Sequence, residues 1–326
     1  MSRFECTLIV MTHERPDALH RCLQSIRALD SAVVPSEIIV VDDGSRQKPE
    51  PPLPTQFPEL PLRYEWVPHR GVAAARNRGL ALARSPFIAF LADDYTLPRD
   101  YLIRARDFFE NYPDGKVLTF NVRSVGRGVG VRVQQLYHEL VLLQNAGAEP
   151  DGRGIIETKR LPASRAAVFR RSVFEEAGAF DARLTAGEDG EMGQRLAARG
   201  IPLHFMHGFY IDHHEGKRFR DFMDQRTRYA TSHFRITAAK YPPTATRSWT
   251  LGHCCRVVAG KLAAWAPISA RHRKLTRFLL LWPGLAIFLS RFYFTLHRLE
   301  AAQAKSAARA TGRPQRTRRA ESNAGE

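Results

Sequence analysis

The chain has 326 residues, 44% of them hydrophobic and 25% charged, enough for one large folded domain or a domain with an appendage. Its formal net charge of +16 is unevenly placed: from Lys240 onward sixteen Lys or Arg face three acidic residues, so the first 239 residues carry only about +3. That balance does not imply a nucleic-acid-binding core and confines the basic excess to a separable C-terminal region, which could meet anionic lipid, an acidic partner or RNA.

Near Met1, the apolar run Thr7–Met11 is too short for a signal sequence and is predicted to be the first strand. Cys6, Cys22, Cys254 and Cys255 lack metal-ligand spacing, so reduced thiols in a cytoplasmic compartment are expected. Pro16-Asp17 opens a helix to about Leu29, with Leu19, Cys22, Leu23 and Ile26 as its apolar stripe. Glu37-Ile38-Ile39-Val40-Val41 is a β-branched run suited to a strand covered on both faces, and Asp42-Asp43-Gly44-Ser45 stops it. After a proline-rich connection at 49–61 come a strand around Tyr64–Val67, a helix from Gly71 to about Arg84, a strand at Phe87–Leu91 and a helix after Pro98. This rhythm is that of parallel strands joined by crossover helices.

Residues 115–160 give a poorer pattern, with a helix over Val131–Asn145 and a flexible loop over Gly147–Gly154. Farther on, a helix ends at Gly178, another runs from Glu191 to Gly200, and two short strands are predicted at Leu203–Met206 and Phe209–Ile211. A core domain is expected to close near residue 240, followed by a basic amphipathic helical region over 241–300 and a disordered tail over 301–326. The stretch Phe278–Leu296 is nearly long enough to cross a bilayer but contains Pro283, Gly284 and Arg291, which favours an in-plane or re-entrant helix; a helical pair packed on the core is the alternative.

The acidic pairs Asp42-Asp43, Asp93-Asp94 and Glu188-Asp189 punctuate this basic chain, and the first two directly follow predicted strands. Open parallel sheets bind ligands beyond the carboxyl ends of their strands, so carboxylates there point to chemistry.

Four stations in this order resemble the family-two inverting glycosyltransferases of the nucleotide-diphosphosugar superfamily, over roughly residues 5–235. The segment Leu8–Pro16 is similar to the family's first strand and nucleotide loop, which implies donor contacts from Thr12, Glu14 and Arg15. In Val41–Ser45 the resemblance makes Asp43 the acceptor for a hydrogen bond from a uracil-like base, while Asp42 either shares that task or caps the turn. Gly71–Gly79, with Ala75-Arg76-Asn77, resembles the glycine-led helix start and implies Arg76 facing the diphosphate or base. Phe90–Asp94 resembles the acidic metal station, although Ala92 stands where a first aspartate is usual. Asp94 is then the expected ligand of Mg2+ or Mn2+, with Asp93 at the ribose or behind the metal.

Gly187-Glu188-Asp189 resembles the Glu-Asp motif, with Asp189 as general base and Glu188 orienting the acceptor. His213 is either a further metal ligand or a structural histidine, and His214 is the weaker candidate. Gln225-Arg226-Thr227-Arg228-Tyr229 is similar to the Gln-Arg-x-Arg-Trp motif of polysaccharide synthases, which implies diphosphate or acceptor contacts from Gln225, Arg228 and Tyr229; an amphipathic helix accounts for the same letters.

The resemblance implies an α/β GT-A fold, Rossmann-like, with a mixed and mostly parallel sheet flanked by helices and a C-terminal helical appendage. It implies metal-dependent sugar transfer from a nucleotide-sugar donor, UDP-linked, to a lipid-linked or cell-envelope glycan, at the cytoplasmic face of a membrane. A nucleotidyltransferase is a second reading, weakened because Thr12–Pro16 has neither glycine nor lysine for a phosphate loop. A catalytically inactive relative that binds membrane or RNA is a third, raised by Ala92 and the basic C-terminus.

Overall fold

A computed structural model describes residues 4–145, 151–158, 167–184, 186–214, 219–240 and 250–310. Its first half is a parallel array of β1 (Cys6–Thr12), β2 (Glu37–Asp43), β3 (Leu62–Val67) and β4 (Phe87–Ala92), in the order β3-β2-β1-β4. Alternate residues of these strands point to opposite faces. Leu8, Val10, Ile38, Val40 and Leu91 join the core under α1 (Pro16–Arg27) and α4 (Tyr101–Asn111). Ile9, Ile39, Val41, Ile88 and Phe90 join the core under α3 (Val72–Leu82), α6 (Ser172–Ala177) and α7 (Glu188–Ala198). Burial on both faces explains why β1, β2 and β4 read as nearly unbroken apolar runs, whereas the edge strand β3 carries Arg63 and Glu65 and is only partly buried. The proline-rich connection forms only the short α2 (Leu53–Gln56).

Register sets the site. Thr12 pairs with Asp42 and Met11 with Ala92, so β1, β2 and β4 end at one level, and the residues after them share a rim.

The second half mixes directions. β8 (Val168–Arg170) lies antiparallel between β4 and β6 (Val117–Val125), and β6 runs parallel to β9 (Leu203–His214). β7 (Ile155–Thr158) and the two-residue β5 (Tyr95–Thr96) pair antiparallel with β9. Two strands expected at Leu203–Met206 and Phe209–Ile211 are one: the register jumps from Phe120↔Met206 to Asn121↔Tyr210, and the intervening residues bulge out. That continuity carries β9 back to the rim, where His213 pairs with Tyr95.

A third core lies between helices. Leu136 and Leu140 of α5 (Val129–Asn145), Phe222 of α8 (Phe219–Lys240), Trp265 of α9 (Leu251–Arg271) and Leu285, Phe288 and Leu289 of α10 (Leu275–Ala310) pack together. Helix α5 therefore packs with the C-terminal helices, although it precedes the boundary expected near 240. Helix α10 also runs through Ala310, ten residues into the stretch expected to be disordered, because Ala301, Ala302, Ala304, Ala307 and Ala308 favour helix. Residues 147–150 of the Gly147–Gly154 loop, the 241–249 connection and residues 311–326 lie outside the described residues.

Close approach of α3 to β1 depends on Gly79, where a Cβ would stand 2.3 Å from Ile9 Cγ2. Gly79→Ala gains about 1 kcal/mol of helix propensity and loses more to overpacking. It is expected to lower stability, within the range of about 1–3 kcal/mol usual for overpacked cores, in urea unfolding.

Candidate active site

The common rim opens into a cleft of about 590 Å3, lined by Thr12, His13 and Arg15 after β1, Asp43 after β2, and His69, Arg70 and Gly71 ahead of α3. Arg76, Asp94 and Glu188 close its floor, and Gln225, Arg228 and Tyr229 of α8 form a wall. Residues from 12 to 229 therefore meet in one place.

Arg76 is buried without solvent exposure, and its Nη1 donates to Glu188 Oε1 at 2.8 Å. Its guanidinium also lies over the Phe180 ring, 4.9 Å from the centroid. Asn77 exchanges hydrogen bonds with the backbone of Phe180, tying α3 to the segment that leads into α7. Nε and Nη2 of Arg76 are buried without a hydrogen-bond partner, an arrangement that costs free energy unless an anion takes them.

Asp43 accepts from the backbone N–H groups of Arg70 and Gly71 at 2.8 and 2.9 Å, and His69 Nδ1 lies 2.9 Å from its Oδ2. An ionised carboxylate offers about four acceptor positions, so one remains for a ligand. The turn between is tight: Gly44 has φ of +80°, and a Cβ there would meet His69 N at 2.6 Å. Asp42 is structural, since it accepts from Tyr64 Oη at 2.6 Å and from the Ser45 N–H at 2.8 Å.

Arg15 joins the second acidic pair. Its Nη2 stands 2.6 Å from Asp93 Oδ1 and its Nη1 2.6 Å from Asp94 Oδ2. Asp93 also accepts from Thr12 Oγ1 at 2.8 Å and does not line the cleft. Burial raises the Asp93 carboxyl to about 6, although Arg15 and the Thr12 hydroxyl pull it down. On the far side of Asp94, buried His213 brings Nε2 to 3.3 Å from Oδ2 and stacks on Tyr95. A carboxylate oxygen and an imidazole nitrogen thus converge on one point, a set that fits a divalent ion whose other ligands are phosphate and water. Among the described residues no three His, Cys, Asp or Glu side chains close on an ion by themselves.

The other expected site residues separate. Glu14 lies outside this cleft in a neighbouring one of about 540 Å3, and its Oε1 accepts from the Arg46 N–H. Asp189 follows Glu188 on the first turn of α7, but it does not line the cleft, and its Oδ1 accepts from the Gly190 N–H at 2.8 Å. His214 turns away to Thr96. Sequence reasoning missed His13, His69 and Arg70. The first lies inside the Leu8–Pro16 segment, and the other two immediately precede Gly71. The His13 and His69 rings stack with centroids 4.4 Å apart.

The sequence model described as "Glycosyl transferase family 2" matches residues 7–178, more than half of the chain. A pre-mycofactocin glycosyltransferase of Mycobacterium tuberculosis is 28% identical over 239 residues, 71% of this chain and 47% of that protein. A validoxylamine A glucosyltransferase of Streptomyces hygroscopicus subsp. jinggangensis is 26% identical over 226 residues, 60% of this chain and 52% of that protein. The chain spans about half the length of the curated relatives it matches. Among solved structures, the mannosyltransferase PcManGT from Pyrobaculum calidifontis, in complex with GDP-Man and Mn2+, has a TM-score of 0.56 at 22% identity, covering 95% of this chain and 88% of that one, a likeness of fold.

Two outcomes follow from the geometry. Glu188→Ala strands the Arg76 charge and is expected to cost about 3–5 kcal/mol in chemical unfolding, with Glu188→Gln costing less. Because the folded-state value of Asp93 exceeds the ordinary 3.8, the native state holds that proton more tightly, and stability should fall as pH rises from about 4 to about 6. Melting temperatures across that window should flatten in Asp93→Asn, and in Arg15→Gln the fall should extend to higher pH.

Proposed function

The chain belongs to glycosyl transferase family 2, and from that premise we propose that it moves a sugar from a UDP-linked donor to a hydroxyl of a lipid-linked or cell-envelope glycan, inverting the anomeric centre with help from a divalent metal. The carrying observation is the convergence of Asp43, Arg76, Asp94 and Glu188 on one cleft in which buried guanidinium N–H groups lack an acceptor.

The diphosphate of the donor meets these N–H groups of Arg76 and the cation of Arg228. Its base offers an N–H to the remaining acceptor position of Asp43, and the stacked His13 and His69 supply a flat surface beside it. Asp94 and His213 would hold Mg2+ or Mn2+, which when bound would offset the charge that grows on the leaving nucleoside diphosphate. Before that happens Arg15 must release Asp94, since its guanidinium now holds the same oxygen. A fold neighbour bound to both GDP-Man and Mn2+ agrees with this pairing of donor and metal.

At the acceptor side, a hydroxyl oxygen attacks the anomeric carbon from the face opposite the diphosphate. Asp189 takes the hydroxyl proton, the new carbon–oxygen bond forms, and the electron pair of the old one leaves with the nucleoside diphosphate. Arg76 fixes Glu188 to orient the acceptor, and Gln225 and Tyr229 line its approach along α8. Glu188 lines the cleft and Asp189 does not, so a second reading gives Glu188 the base role.

Release of nucleoside diphosphate, followed over a panel of nucleotide-sugars with and without Mn2+, tests the assignment. UDP-linked donors with Mn2+ are expected to be turned over fastest, and Asp94→Asn should abolish the metal requirement together with most activity. Asp189→Asn should lower transfer by about 10^2–10^4, the usual contribution of a general base, while nucleotide affinity stays within a factor of a few. Full transfer by Asp189→Asn alongside a folded, inactive Glu188→Gln would reassign the base.

A further inference from the structure

Of the ten large hydrophobic side chains exposed among the described residues, six lie on α9 and α10. They are Leu251, Leu275, Leu279, Leu280, Trp282 and Ile287, with Leu280 75% and Trp282 49% accessible. A helical period places Leu280 and Ile287 on the side of α10 opposite Phe278, Leu285 and Leu289, which are buried in the helical core, with Leu279 at the edge of that outer side. Leu275–Ala304 has the length and hydropathy of a membrane span, with a mean hydropathy of 1.5, yet one side of it packs on α5, α8 and α9. A helix with protein along one side cannot be surrounded by lipid.

The charge around this face has one sign. From Leu251 to Ala310 there are ten Lys or Arg and a single acidic residue, Glu300. Arg271, Arg273, Lys274 and Arg277 crowd the turn between α9 and α10, and Glu139 of α5 pairs with Lys274 and Arg277. Arg271 and Arg273 remain exposed beside Leu275 and Leu279. Apolar side chains edged by cations match the boundary between acyl chains and anionic headgroups.

We propose that the outer side of α10, with the α9–α10 turn, is a docking surface for an anionic phospholipid membrane, entered in the plane of the interface rather than across it. Leu279, Leu280 and Ile287 sink between headgroups, and Arg271 and Arg273 contact phosphates. Helix α8, whose Gln225, Arg228 and Tyr229 wall the cleft, packs against α10, and Arg291 Nε donates to Thr227 Oγ1 at 2.8 Å between them. Docking therefore fixes the cleft relative to the membrane, where a lipid-linked acceptor would be presented.

The test uses the full chain without donor, so its result is independent of the sugar-transfer reading. Co-flotation is measured with vesicles of phosphatidylcholine alone and of phosphatidylcholine mixed equally with phosphatidylglycerol. Binding is expected only to the mixed vesicles, to weaken about tenfold or more in high salt, and to be released by alkaline carbonate. Leu280→Asp combined with Ile287→Asp should abolish it without changing the melting temperature, because both side chains are exposed. The proposal is overturned by equal binding to both vesicles, by resistance to carbonate, which would indicate a spanning helix, or by no flotation. Loss of a homodimer in the Asp variant without vesicle binding would assign the face to a second copy and overturn it equally.

Discussion

The site depends on a guanidinium placed where water cannot reach it. Arg76 has one ionised partner, Glu188, and that partner lies 112 residues away on another helix. Removing two charges from water costs several kcal/mol each, and one charge-assisted hydrogen bond regains only part of it. Two further N–H groups of Arg76 remain unpaired in the floor of the cleft. The folded protein therefore holds a cation that a hydrophobic substitute would improve for stability alone. Such an expense is understandable where an anionic ligand completes the hydrogen bonding, and it explains why α7 begins at Glu188: the carboxylate neutralises Arg76 and faces the helix N-terminus together.

Charge balance in the donor-free cleft extends the same logic. Arg15 serves as counter-ion to both Asp93 and Asp94, and without it two adjacent, buried carboxylates would repel each other and take up protons. A metal ion, if held at Asp94 as proposed, would supply the same positive charge and compete with Arg15 for one oxygen. Arg15 is 44% exposed along its side chain and can swing away from Asp94 without unpacking the core, whereas Asp93 stays anchored by Thr12. The unusual Ala92 fits this arrangement. A carboxylate at that position would add a third negative charge beside a single arginine.

Much of this was legible in the sequence because parallel strands declare themselves through β-branched runs, and their acidic stops fall at the carboxyl ends where ligands bind. The positions of Asp43, Asp94 and Arg76 followed from local letters. Other features depended on distant partners. The short β5 and the bulged β9 have no independent pattern, since β5 is two residues long and is defined only by pairing with Asp212 and His213. Asp42 and Asp43 look equivalent in sequence, and distant partners separate them: Tyr64, 22 residues away, holds the structural Asp42, while the Arg70 and Gly71 N–H groups hold Asp43 at the cleft. Glu188 and Asp189 are likewise adjacent letters, but one turn of helix aims the first at Arg76 and leaves the second at the margin.

The helical layer shows how the cleft wall is fixed. Arg226 sits between two residues that bear on the site, yet its guanidinium lies over Tyr137, Phe288 and Phe292, at 5.0, 4.6 and 4.9 Å from their centroids. Contacts of a cation with three ring faces gain strength as water is excluded, and they lock the rotation of α8 against α5 and α10. With that rotation set, residues one before and two and three after Arg226 turn toward the cleft, which are Gln225, Arg228 and Tyr229. The stretch that resembles a substrate-binding motif is thus split between two tasks: one arginine anchors the helix in an aromatic cage, and the other faces the site.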